Sequence, residues 1–154
     1  MIRRRECGFT IVELMITLVV VGILAVLAIP AFGDQLARRR LEGAATDMSV
    51  DLQYARTQAV SIRGQVRVRT TSTATYVIDD SSGAPVYKSV TLPTGISVTN
   101  GVTITYDQLR GMANASSLAL ASAQTSATMQ VDVNVMGRVS LCSPGGSLKG
   151  YTTC

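Results

Sequence analysis

Residues 9–32 form one apolar run of 24 residues in which Glu13 is the only formally charged side chain. A helix of that length spans about 36 Å, against roughly 30 Å for the hydrocarbon core of a bilayer. The run predicts a transmembrane helix over 9–33 and leaves residues 34–154 as one modest domain outside the lipid. A hydrophobic content of 47% and a mean hydropathy of +0.30 are high for a soluble domain, and the excess lies at this end of the chain.

Arg3, Arg4 and Arg5 stand just before the run. A basic cluster ahead of the first apolar span favours a cytoplasmic N-terminus and a translocated C-terminus. Arg38, Arg39 and Arg40 follow the run and blur this asymmetry, but the leader emerges first and sets the orientation. A secretory signal has a shorter apolar core with its cut site behind it. Here the run is too long and the better processing site precedes it, so the anchor is expected to stay in the mature chain. The net charge is +4; without residues 1–8, which hold three Arg and one Glu, 11 basic and 9 acidic side chains remain, or +2. That is too weak to argue for nucleic acid. There is no His for acid–base work, no metal-ligand cluster and no Gly-rich phosphate loop after a strand, so an enzyme is disfavoured and no cofactor or metal is expected.

The helical pattern continues past the apolar run. Pro30 is expected to kink or locally open the helix. Beyond it Leu41, Ala44, Ala45, Met48, Leu52, Ala55, Ala59 and Ile62 recur at three- and four-residue steps, one apolar stripe on a helix reaching to about residue 63. Arg39, Glu42, Asp47, Asp51 and Arg56 fall mostly off it. Gly64 is the expected stop. The period then changes to two: 65–71 (QVRVRTT) reads as a half-buried strand, with further strands at 75–78, 86–92, 96–98, 102–106, 128–135 and 138–142. Asn100-Gly101 signals a hairpin between the fourth and fifth of these. Residues 111–126 are rich in Ala and Ser and have no clear place, and 143–154 reads as loop. The Thr/Ser-rich stretches at 70–75 and 122–128 read as exposed strand faces and turns. The fold class is α+β, a helix laid on an antiparallel sheet.

Gly8-Phe9-Thr10-Ile11-Val12-Glu13, behind a short basic leader and opening an apolar span, resembles the processing site of type IV prepilins. The resemblance implies removal of residues 1–8 by prepilin peptidase, cleavage falling between Gly8 and Phe9, and N-methylation of Phe9. It also implies a single-pass protein of the bacterial inner membrane, with residues 34–154 as a periplasmic headgroup that later enters a pilus filament. The protein would be a substrate of the peptidase and a partner of other minor and major pilins. Gly8 lets a protease groove approach the backbone. Glu13 is costly in lipid unless paired. Cleavage creates a partner, the α-amine of Phe9, four residues away in the same helix or on an adjacent subunit; the family precedent favours the second, as a register device in assembly. Gly22 and Pro30 read equally as ordinary membrane-helix composition or as a segment that loosens in a filament.

Residues 52–60 (LQYARTQAV) and 137–142 (GRVSLC), the latter followed by a Gly-rich loop and a terminal Cys, look like the GspH/FimT/FimU group of minor pilins and H-type minor pseudopilins. The function this implies is a minor pilin near the filament tip that primes assembly; the alternatives are a type II secretion pseudopilin and a DNA-binding pilin of the FimT type. The last carries a Gly-Arg-x-Arg signature, and here Gly137-Arg138-Val139-Ser140 keeps only the first Arg. Arg138 and Lys149 are the candidate phosphate contacts, and two cations make a thin site, so DNA is not favoured. Cys7 would leave with the leader. Cys142 and Cys154, on the translocated side, read as one disulfide closing a loop of about a dozen residues.

Overall fold

The computed structural model describes residues 9–154, without the side chains of residues 27–31. The chain divides into two units, Met1–Gln35 and Leu36–Cys154. A single helix, α1 (Ile11–Ile62), contributes to both and runs through Pro30 without a break in its assignment.

In the second unit α1 buries the stripe read from its sequence. Leu41, Ala45, Met48, Leu52, Ala55 and Ala59 are fully buried, while Ile62 at the end of the stripe is 39% exposed. Four of the stripe's eight positions are alanine, and most of the larger fully buried side chains come from the strands. The helix ends in a Schellman turn. Arg63 takes the left-handed conformation (φ 51°), its N–H donates to the Val60 carbonyl, and the N–H of Gly64 donates to the Ala59 carbonyl. Gly64 therefore lies one position beyond the residue that needs the positive φ, and an arginine occupies the site glycine would fill.

Eight strands follow: β1 (Val66–Ser72), β2 (Thr75–Asp80), β3 (Val86–Thr91), β4 (Ile96–Val98), β5 (Thr103–Tyr106), β6 (Ser116–Ser122), β7 (Thr128–Val133) and β8 (Val139–Cys142), with a 3-10 turn at Pro144–Gly146. They form two antiparallel four-stranded sheets rather than one, ordered β3-β2-β1-β5 and β4-β6-β7-β8. Both feed the same core: Val66, Val68, Tyr76, Ile78, Ile104 and Tyr106 from the first, Ile96, Val98, Leu118, Leu120, Met129, Val131 and Val133 from the second. Each such side chain contributes about 1.5–3 kcal/mol when fully buried. The fold is α+β, with the helix packed on antiparallel sheets.

The expected hairpin at Asn100-Gly101 does not form. β4 pairs with β6 and β5 with β1, so the chain changes sheets here. A two-residue type I′ turn needs positive φ at both central positions, and neither residue has it. The Asn100 side chain bonds the backbone of β6 instead, donating to the Ser117 carbonyl (2.7 Å) and accepting from the Ala119 N–H (2.7 Å). β6 is the strand hidden in the Ala/Ser-rich stretch. Its SSLALAS alternates with period two, Leu118 and Leu120 pointing inward, but Ala and Ser carry little strand preference of their own.

Candidate functional site

The first unit is an apolar helix with its chemistry at one end. Every described side chain over residues 9–26 is exposed, with Phe9 at 81% and Ile11 at 80%. Apolar surface on this scale is not left bare by a water-soluble monomer. Among the described residues no helix is long and apolar enough to cross a membrane; the described side chains of the run stop at Val26 and resume at Phe32.

Thr10 caps the helix. Its hydroxyl accepts from the Glu13 N–H (3.2 Å) and its carbonyl from the Leu14 N–H (3.1 Å). This is the forward half of a Thr-x-x-Glu capping box, and it puts Glu13 in the first turn, where the helix dipole favours a carboxylate. Gly8 lies outside the described residues. Phe9 precedes the cap and so stands outside the helix, and the i, i+4 spacing from Phe9 to Glu13 is not helical in this uncut chain. Its nitrogen is also still an amide. The Glu13 carboxylate has no hydrogen-bond partner among the described residues.

In the second unit Asp51 and Asp79 are bonded internally. Asp51, which falls off the apolar stripe, is nonetheless only 5% exposed. It accepts from the Tyr76 hydroxyl (2.8 Å) and from the Lys88 ammonium (2.5 Å), tying α1 to β2 and β3. Burial, then the bond to Asp51, pushes the Tyr76 hydroxyl well above its ordinary pKa. Asp79 on β2 is fully buried between Arg67 and Arg69 of β1, each guanidinium donating at 2.7 Å. Burial raises the Asp79 pKa, but the bonds from Arg67 and Arg69 outweigh it and hold the carboxyl below its usual range. Tyr106 is the contrast. Its hydroxyl is buried with no hydrogen-bond partner among the described residues, and burial pushes its pKa up to about 12. None of these partnerships has a local signal in the sequence; each joins residues at least ten positions apart.

Cys142 and Cys154 are joined by a disulfide, which ties the tail to β8 beside the Cys142–Thr152 bridge. Asp132 lies against Cys142 Sγ, and Asp132, Cys142 and Cys154 cluster together. With both sulfurs in a disulfide, no thiolate is left there for a metal. Arg138 and Lys149 are not brought together. Arg138 is exposed just before β8, and Lys149 is exposed beyond the 3-10 turn that follows its other end. A four-residue strand of about 13 Å separates those ends. Ser140, where the DNA-binding signature has its second Arg, is exposed as well.

A family model for the prokaryotic N-terminal methylation motif matches residues 3–29, and the model for the type II transport protein GspH matches residues 44–137, more than half of the chain. The fimbrial protein EcpC of Eikenella corrodens is 43% identical over 44 residues, 29% of each chain. The type IV major fimbrial protein FimA of Dichelobacter nodosus is 53% identical over 34 residues, 22% of this chain and 21% of that one. The chain thus spans less than a third of the length of these curated relatives. The crystal structure of the type IV minor pilin FimU of Pseudomonas aeruginosa strain PAO1 has a similar fold, with a TM-score of 0.59 over 70% of this chain and 95% of that chain at 20% identity; a second crystal form gives 0.57.

A methylation motif ahead of a helix packed on antiparallel sheets defines a type IV pilin-like protein, a structural subunit and not an enzyme. Within that class the chain belongs to the GspH/FimT/FimU family.

Proposed function

We propose that the chain is a minor pilin of a type IV pilus. It is made as a precursor, cut between Gly8 and Phe9 by prepilin peptidase and N-methylated on Phe9. Residues 9–33 hold it in the inner membrane until it assembles near the filament tip and primes growth. The observation that carries this reading is the succession of two matched segments in one chain, the methylation motif over 3–29 and the headgroup over 44–137. Glu13 supplies the chemistry of assembly. A carboxylate in lipid costs several kcal/mol unless paired. Thr10 occupies the cap and Phe9 lies beyond it, which favours the amine of a neighbouring subunit over the chain's own.

Two variants in cells that hold the peptidase test this. Gly8→Ala should accumulate as uncut precursor; if it matures normally, the site is misplaced. Glu13→Ala should be cut normally and fail to enter filaments; normal incorporation would remove the assembly role. The match to a type II transport protein favours a second reading, an H-type minor pseudopilin. Deletion of the gene separates the two: lost piliation with intact secretion supports the pilus, and the reverse supports the pseudopilus.

A further inference from the structure

The end of the second unit where α1 stops carries a surface that the reading above does not use. Val60 and Arg63 of the helix end face Gln108 and Leu109 across a groove of about 440 Å³. A second groove of about 400 Å³, lined by Arg56, Val60 and Arg110 among others, shares Val60 with it. The loop that builds both is held by hydrogen bonds. Asp107 Oδ1 accepts from the N–H groups of Leu109 (2.7 Å) and Arg110 (2.9 Å), and Arg56 Nε donates to the Gly111 carbonyl (3.1 Å). This turn holds Leu109 out into solvent at 79% exposure, beside Val60 at 44%.

The charges are lopsided. Arg56, Arg63 and Arg110 surround the two apolar side chains, and none of the three is in a salt bridge among the described residues. Asp107 is committed to the backbone of its own turn. Arg63 holds its place at the cost of a left-handed backbone that glycine would adopt freely. An exposed aliphatic knob ringed by guanidiniums that hold no salt bridge among the described residues is the anatomy of an interface anchor with a charged rim.

We propose that this surface docks a different pilin-like subunit, one that presents an apolar side chain flanked by carboxylates. The proposal rests on the reading of the chain as a filament subunit and adds where and by what chemistry a neighbour is held. A second copy meeting the surface face to face would set guanidinium against guanidinium, which disfavours a symmetric pairing and suits a chain with acidic side chains at the contact. Nucleic acid would gain nothing from Leu109 and Val60, and neither groove has an aromatic ring on which a base could stack.

Photo-crosslinking of the full-length chain in its own cells tests this, with Leu109 replaced by p-benzoylphenylalanine and Thr73, in the turn at the far end of β1, as the control position. The expected adduct joins Leu109 to a peptide containing Asp or Glu from a second protein that has its own N-terminal methylation motif. Arg63→Gly, which suits the backbone, combined with Arg110→Glu should cut its yield by about tenfold. Protease resistance of the headgroup in the double variant, equal to that of the unaltered chain, reports that it is folded. An adduct with nucleic acid, an adduct with a second copy, a yield that the charge changes leave alone, or no adduct above the Thr73 control overturns the docking surface. Whether the recovered chain is cut or uncut is read on the same gel and reports separately on the subunit reading.

Discussion

Glu13 of the first unit and Asp51 and Asp79 of the second are carboxylates in opposite situations. Glu13, in an apolar helix with every described neighbour exposed, has no partner among the described residues. Asp51 and Asp79, in the second unit, are almost fully buried and each bonds two cationic or hydroxyl donors of its own chain. Glu13 is left without a partner among the described residues, whereas Asp51 and Asp79 are satisfied within the chain. A substitution in the first unit should therefore leave stability untouched and be felt in assembly, whereas a substitution in the second should be felt in stability first.

The glycines offer the largest test of that contrast. Gly137 sits in the turn between β7 and β8 at φ 70°, and a Cβ there would come within 2.1 Å of the Gly111 carbonyl oxygen. The turn is locked by Asn134, whose side chain accepts from the N–H groups of Met136 and Arg138, so the backbone has little room to yield. Gly137→Ala should cost about 3 kcal/mol from strain and overpacking together, seen in thermal unfolding of the full chain in detergent. Gly22 has nothing within 4 Å of its Cβ position. Gly22→Ala should leave unfolding unchanged, so any loss of filament incorporation would assign Gly22 to contacts between subunits. A marked stability loss in Gly22→Ala would break the comparison.

The same division explains what was legible in the sequence. The apolar run and the place of Glu13 within it depend on no contact within the chain, so spacing alone displays them. The stripe from Leu41 to Ala59 and the alternation of Val66 and Val68 are also local patterns, because a helix face and a strand face are set by backbone geometry. What failed was non-local. Asn100-Gly101 has the composition of a turn, but the Asn100 side chain found β6 and the chain crossed between sheets. Leu118 and Leu120 alternate correctly, yet sit among Ala and Ser that carry no strand preference. Asp51 reads as a solvated helix residue because Tyr76 and Lys88, which bury it, lie 25 and 37 residues away.

Two buried tyrosines sharpen the contrast within the second unit. Tyr76 donates to a carboxylate, and Tyr106 has no acceptor among the described residues. Tyr76→Phe removes a charge-assisted bond and leaves Asp51 short of a donor, which should cost about 2 kcal/mol. Tyr106→Phe removes only an unsatisfied hydroxyl and should be neutral or slightly stabilising. Equal losses in the two variants would mean that Tyr106 has a partner, such as an ordered water, in the folded chain.

The smallest effect is the acid limb of stability, and its sign follows from Asp79. Folding lowers its pKa below the ordinary 3.8 because the bonds from Arg67 and Arg69 outweigh burial. The unfolded chain therefore binds the proton more readily, and the stabilisation is fully present above the unfolded value and disappears as pH falls through the folded one. The contribution is small, because Arg69 is 38% exposed and screened by solvent. Asp80 and Asp107 are also held below their ordinary range, by hydrogen bonds from Ser82 and from the backbone of Leu109 and Arg110, and slope the same way. Asp79→Asn keeps both of them, so the difference between it and the unaltered chain isolates Asp79. From about pH 6 to pH 3 the unaltered chain should lose more stability than Asp79→Asn. Parallel curves would mean that the Arg67–Asp79–Arg69 bridge orders the surface of the first sheet without stabilising the fold.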